Sequence, residues 1–124
     1  SLIASGCRIG GTVERSVLSP GVIVEEGALI RDSIIFHECV IKKDAVVEQT
    51  ICDKDVIIEE ESQIGRGDVV HPNEQFPEAY HSGITVIGKE VHIGKQVKVG
   101  KNCLIYPGSV VCDSEEIQSG SVVR

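Results

Sequence analysis

Aliphatic residues recur every six positions through the last third of the chain, at Ile87, Ile93, Val99, Ile105, Val111, Ile117 and Val123. Gly88, Gly94 and Gly100 follow the first three of them. Four residues after each marker stand Val91, Val97, Cys103, Ser109, Glu115 and Ser121, small or aliphatic except for Glu115. A six-residue period fits neither the 3.6-residue turn of an α-helix nor the simple alternation of a hairpin array. It fits a triangular coil in which each hexad makes one flat face and one corner. The aliphatic residue and the residue four later both point inward, and glycine helps the chain turn. Three hexads make an 18-residue coil, and successive coils stack at about 4.8 Å with backbone hydrogen bonds running from coil to coil.

The first half repeats with a longer period of 17. One column reads Gly11, Ala28, Ala45, Ser62, another Val13, Ile30, Val47, Ile64, and a third Val22, Cys39, Val56. Ser16, Ser33 and Thr50 recur in the same way and are followed by Val17, Ile34 and Ile51. Cys7, Val24, Ile41 and Ile58 complete the set on this reading. A 17-residue coil is the 18-residue coil with one residue deleted at a corner. Self-similarity of this kind marks a repeat architecture, in which no coil buries its apolar face alone. Stability is then nearly additive along the stack, and both ends expose strand edges that must be covered.

The expected fold is therefore all-β, a single-stranded parallel β-helix forming one domain over residues 1–124. The first coils occupy 1–70, an inserted loop 71–83 and further coils 84–124. Handedness does not follow from the period, since parallel crossovers are normally right-handed. The hexads resemble the known left-handed hexapeptide class, which implies left-handed winding. Ile58, Ile64 and Val70 keep the six-residue phase up to the insert, which holds two prolines and no alternation. Its plainest role is a flap that packs Phe76 and Tyr80 on the outer face. A loop on a rigid scaffold is also where function tends to sit.

The apolar content is mostly Val and Ile, stiff side chains suited to pleated surfaces. Residues 1–65 carry 12 acidic and 6 basic side chains, and residues 66–124 carry 7 and 6. Such an acidic chain, with two Phe, two Tyr and no Trp, is a poor binder of nucleic acid or anionic membranes. No apolar run reaches the length of a transmembrane helix, and nothing reads as a signal peptide. The five cysteines, Cys7, Cys39, Cys52, Cys103 and Cys112, form no C-x-x-C pair. Four fall at apolar positions of the repeat and read as small buried residues, with Cys112 exposed. A reducing cytoplasm is the expected compartment.

His37 aligns with Pro20 and Lys54 and reads as solvated; His92 follows the inward Val91 and faces out. With His71 and His81 it would need a subunit interface to hold a metal, so no metal site is expected. Lys89, Lys95 and Lys101 fall on successive faces and make no single phosphate cradle. Asp32, Asp44, Asp53 and Asp55 sit at corners, where aspartate serves turns. No Ser-His-Asp grouping and no strand–glycine loop–helix element is evident.

The stretch Ser16-Val-Leu-Ser-Pro-Gly-Val-Ile-Val-Glu-Glu-Gly-Ala28, continued by Arg31-Asp-Ser-Ile-Ile35, resembles the start of the C-terminal β-helix in the glucose-1-phosphate adenylyltransferase (ADP-glucose pyrophosphorylase) family. Val40-Ile41, Ala45-Val-Val-Glu48, Thr50-Ile51 and Asp53-Lys54 continue the likeness, and Ile64-Gly65 with Gly83-Ile-Thr-Val-Ile-Gly88 matches its close. The resemblance covers residues 2–88. Two further coils follow and look like hexapeptide proteins in general, including nucleotidyltransferases that carry an acyltransferase domain. The resemblance implies a regulatory and oligomerisation domain of a sugar-phosphate nucleotidyltransferase. Its partners would be its own N-terminal catalytic domain, further copies of itself and a small-molecule effector. The family's glycine-rich nucleotide signature is absent, so the resemblance implies no catalytic, cofactor or metal residue here. ATP and magnesium belong to the parent enzyme. Hexapeptide acyltransferases generally use a histidine near a protruding loop with acyl-coenzyme A. On that alternative His71 or His81 would be the general base.

Overall fold

A computed structural model describes residues 1–67, 71–79 and 81–124. The chain winds as a single-stranded, left-handed parallel β-helix with three faces. Face A stacks seven strands, β1 (Leu2–Ile3), β4 (Val17–Leu18), β7 (Ile34–Ile35), β10 (Thr50–Cys52), β13 (Thr85–Ile87), β16 (Leu104–Ile105) and β19 (Val122–Val123). Face B stacks six, β2 (Arg8–Ile9), β5 (Ile23–Val24), β8 (Val40–Ile41), β11 (Ile57–Ile58), β14 (His92–Ile93) and β17 (Val110–Val111). Face C stacks β3 (Thr12–Glu14), β6 (Leu29–Arg31), β9 (Val46–Glu48), β12 (Gln63–Ile64), β15 (Lys98–Val99) and β18 (Glu116–Ile117). Among the described residues there is no helix.

Each face contributes one inward aliphatic ladder. Leu18, Ile35, Cys52, Ile87 and Ile105 line face A, Val24, Ile41, Ile58 and Ile93 face B, and Ile30, Val47, Ile64 and Val99 face C, all at most 1% exposed. Each such burial contributes about 1.5–3 kcal/mol, most of it offset by chain entropy. Val22, Cys39, Val56 and Val91 fill one corner, and Ala28, Ala45, Ser62 and Val97 a second. The small-residue columns are thus corner fillers, as the repeat requires. Register pairs Val13 with Ile30 and Ile30 with Val47, and Val17 with Ile34, as expected.

The missing residue of the 17-residue coils falls at the corner from face C to face A. There Ser33 donates its hydroxyl to the carbonyl of Arg31 and accepts the amide of Thr50; Ser16 repeats the pattern with Glu14 and Ser33, and Thr50 repeats its donating half with the carbonyl of Glu48. A short hydroxyl thus replaces a residue of chain by satisfying two backbone groups inside the corner, which explains the Ser/Thr column.

Two expectations are corrected. Cys7 does not stack on Val24; Ile9 does, so the first coil is shorter by two residues, with Gly10-Gly11 cutting the corner between faces B and C. Cys7 lies instead at the level of Val22, where the amide of Arg8 bonds the carbonyl of Val22. Gly88, Gly94 and Gly100 do not supply the turn. The left-handed conformation belongs to Glu90, Gln96 and Asn102, two residues on, with φ of 60°, 54° and 59°. Glycine is needed because a Cβ would come within 2.6–2.7 Å of the backbone nitrogens of Pro107, Asp113 and Ser119 on the next coil. Asp32, Asp44 and Asp55 do sit at corners with positive φ, a conformation aspartate tolerates.

The insert leaves the stack after Ile64, and β13 begins at Thr85. Its first limb is pinned to the later coils. Asn73, 1% exposed, donates to the carbonyl of Asn102 and accepts the amides of Gln75 and Phe76. The buried Asn102 donates to the carbonyl of His71 and accepts the amide of Gly83. Phe76 is 40% exposed on the outer side. Val70 and Tyr80 lie outside the described residues.

Candidate polar groove and the placement of the histidines

The insert and the outer side of face C enclose a groove of about 460 Å³. Its lining includes the registered row Gln63, Lys98, Glu116, together with Arg66, Gly67, His71, Gln118 and Ser119. Strand alternation turns Lys98 outward because its neighbour Val99 is in the core. Arg66 leans towards Glu48 at 3.3 Å, and Glu48 also faces Arg31 at 3.9 Å. Arg31 in turn bonds Glu14 at 3.0 Å, and Arg15 bonds Asp32 at 2.6 Å. The ion-pair ladder thus climbs the corner between faces C and A up to the groove. The Arg15 hydrogen bond holds the Asp32 carboxyl below its ordinary value. Next to the groove Lys101 reaches Gln49 Oε1 at 2.6 Å and the carbonyl of Gly65 at 2.8 Å. It ties the start of the insert to the coil beneath.

The four histidines stay apart in role. His71 lines the groove, and exposed His81 is not among its lining residues. His37 is exposed at the corner between faces A and B, beside Pro20 and Glu38. His92 faces out from face B, as expected, and its Nε2 lies 2.7 Å from Glu59 Oε2. Lys42 reaches the other Glu59 oxygen at 3.3 Å, so three successive coils meet at one carboxylate. Burial works to raise the Glu59 carboxyl, but His92 and Lys42 outweigh it and hold it below its ordinary value. Among the described residues no group of three or more His, Cys, Asp or Glu could hold a metal ion. Among the described residues the histidine with a printed carboxylate partner is His92, paired with Glu59.

The thiols are similarly quiet. Burial pushes Cys39 up to about 11, and raises Cys52 and Cys103 as well. Cys112 is exposed, as expected, and its hydrogen bond with Glu115 raises it. The groove's side chains therefore suit the binding of a polar or anionic group. Its signal in the sequence was slight, because its lining residues Arg66, His71, Lys98 and Gln118 come from separate stretches of the chain with no shared period.

The chain is a hexapeptide β-helix module, and it belongs to the GlmU-like, C-terminal hexapeptide family, whose model matches residues 1–87. Glucose-1-phosphate adenylyltransferase of Acetivibrio thermocellus is 40% identical over 86% of the chain and 25% of its own length. The enzyme of the same name from Ruminiclostridium cellulolyticum is 42% identical over 99% of the chain and 29% of its own length. That of Fervidobacterium nodosum is 34% identical over 97% and 29%. The chain thus spans between about a fifth and a third of the length of the curated relatives it matches. The last coils, which look generic in sequence, fall inside the two longer matches. Among solved structures, the acetyltransferase domain of PglB from Neisseria gonorrhoeae FA1090 in complex with acetyl coenzyme A superposes with a TM-score of 0.51 at 19% identity. It covers 92% of this chain and 52% of that one. At that identity the likeness concerns the fold alone. Among the described residues no helix is long and apolar enough to cross a membrane.

Proposed function

We propose that this chain is the C-terminal regulatory and oligomerisation domain of a cytoplasmic glucose-1-phosphate adenylyltransferase. That enzyme joins the adenylyl group of ATP to glucose 1-phosphate, giving ADP-glucose for glycogen synthesis and releasing pyrophosphate. The observation that carries the reading is 42% identity across 99% of the chain to an enzyme of that name. Catalysis, with ATP and magnesium, belongs on this reading to an N-terminal nucleotidyltransferase domain outside the chain. The β-helix contributes rigidity, subunit contacts and a surface through which a small effector acts on that domain. The polar groove between insert and face C supports a binding role. The acyltransferase alternative, with His71 or His81 as base, has only the fold likeness behind it.

A chimera tests this. The chain replaces the corresponding C-terminal segment of the Acetivibrio thermocellus enzyme, and ADP-glucose formation and assembly size are measured. The expected chimera forms ADP-glucose and assembles to the parent's size. A folded but inert chimera, or saturable acetyl-coenzyme A binding to the chain that His71→Ala or His81→Ala abolishes, overturns the proposal.

A further inference from the structure

The outer row of face C changes character along the stack. It reads Thr12, Leu29 and Val46 in the first coils, then Gln63, Lys98 and Glu116 where the insert meets the stack. The equivalent row of face A stays aliphatic through this region, at Ile51, Val86 and Leu104. The polar stretch is therefore no requirement of the coil. It coincides with the groove of about 460 Å³, inside the range of about 300–1,000 Å³ that small-molecule sites occupy.

Charge and hydrogen-bonding capacity decide the class of ligand. Among the described residues that line the groove, Arg66 and Lys98 are cationic and Glu116 is anionic. Arg66 faces Glu48 through its Nε at 3.3 Å, and Lys98 is registered with Glu116, so each cation stands beside one carboxylate. No salt bridge joins Lys98 to Glu116 among the described residues, so both keep their polar groups open. Lys98 then offers donors, Glu116 offers acceptors, and the amides of Gln63 and Gln118 offer both. An oxyanion accepts but does not donate; it would leave the amide carbonyls unused and lie against Glu116. A hydroxyl donates and accepts at once, so an uncharged ligand rich in hydroxyls matches every group in the row. No Phe, Tyr or Trp is among the lining residues, so a flat base would find no stacking partner.

The site is held in place without a ligand. The buried Ile64 and Val99 fix the strands that carry Gln63 and Lys98, and Lys101 ties the carbonyl of Gly65 at 2.8 Å. An added Cβ on Gly67 would stand 3.6 Å from Ser119 Oγ, so the start of the insert and the coil of Ser119 approach each other there. We propose that this groove binds a neutral saccharide, with Lys98 donating to its hydroxyls, Glu116 accepting from them, and Gln63 and Gln118 doing both. The assignment deepens the binding role given to the groove above and rests on it.

The test is isothermal titration calorimetry on the whole protein that carries this chain, with maltotriose, cellotriose and sucrose as probes. At least one sugar is expected to saturate with a Kd on the order of 1 mM, hydrogen bonds without stacking being weak. That Kd is expected to be equal at about 0.05 and 0.5 M salt, because the ligand carries no charge to screen. E116A and Q118A are each expected to weaken it about fivefold or more, the loss of one hydrogen bond, while Leu29→Ala, lower on the same row, leaves it unchanged. The proposal is overturned if no sugar saturates below about 50 mM, or if folded E116A and Q118A, checked by circular dichroism, both bind as the wild type does. It is equally overturned if inorganic phosphate binds more tightly than every sugar and R66Q/K98Q abolishes that binding, which makes the groove an anion site. The chimera described above reads ADP-glucose formation and assembly size, so the two proposals fail separately.

Discussion

Ser33 satisfies two backbone groups inside a corner that has lost a residue, so its hydroxyl is structural. Ser33→Ala strands the Thr50 amide in the core and is expected to cost about 1–3 kcal/mol in urea denaturation. Ser33→Thr, which the column itself uses at Thr50, is expected to cost much less. Glu59 carries a pH dependence. Its carboxyl is lower in the folded chain than in the unfolded one, so its contribution is complete above the ordinary carboxylate range. That contribution disappears as pH falls through the folded value. Glu59→Gln is therefore expected to lose about 1 kcal/mol near neutrality, and to match the wild type in acid; an equal loss at both pH values contradicts the assignment. Among the thiols, Cys112 is expected to react first with a thiol reagent, and faster in Glu115→Gln. Cys39, Cys52 and Cys103 are expected to react only on unfolding.

At the level of the element, the coil is the unit of stability, and position in the stack sets the worth of a side chain. Ile58→Ala, in the middle, is expected to cost about 2–5 kcal/mol. Ile3→Ala, in the first coil of this chain and 47% exposed in it, is expected to cost less than about 1 kcal/mol when this chain is unfolded by itself. The insert is an element of a different kind, since its order depends on side chains from two loops. Asn102→Ala removes the acceptor for the Gly83 amide and the donor to the His71 carbonyl. Limited proteolysis is expected to nick the insert in this variant while the coils resist; cleavage spread evenly along the chain contradicts that separation. Gly120 has φ +83°, and a Cβ there would lie 2.4 Å from the carbonyl oxygen of Pro72. The close approach of insert and last coil thus rests on a glycine as well.

On the scale of the whole molecule, the chain is a rigid prism with unlike faces. Outside face A runs the registered row Leu2, Val17, Ile34, Ile51, Val86, Leu104, Val122, aliphatic throughout. Outside face C the row turns polar at Gln63, Lys98 and Glu116 and meets the insert. A scaffold of this kind positions other parts of a protein, which agrees with its place in relatives three to four times its length.

The hexad period by itself dictated the coil, its inward ladders and the exposure of His92 and Cys112, because a repeat of period six admits one solution in which every aliphatic marker is buried. It also marked Glu115 as the exception to the small-residue column. The 17-residue spacing announced a lost corner residue, and the Ser/Thr column lay beside it. Register in the first coil was misjudged at Cys7, because a deletion at a corner leaves the face pattern intact and so leaves no periodic trace. The role of Gly88, Gly94 and Gly100 was likewise hidden, since it depends on backbone one coil away. The groove, the Asn73–Asn102 anchor and the Glu74–Val122 hydrogen bond arise where an aperiodic insert folds back on the stack. Those contacts join residues some thirty to fifty positions apart, and no local pattern encodes which backbone group will meet which side chain across such a distance.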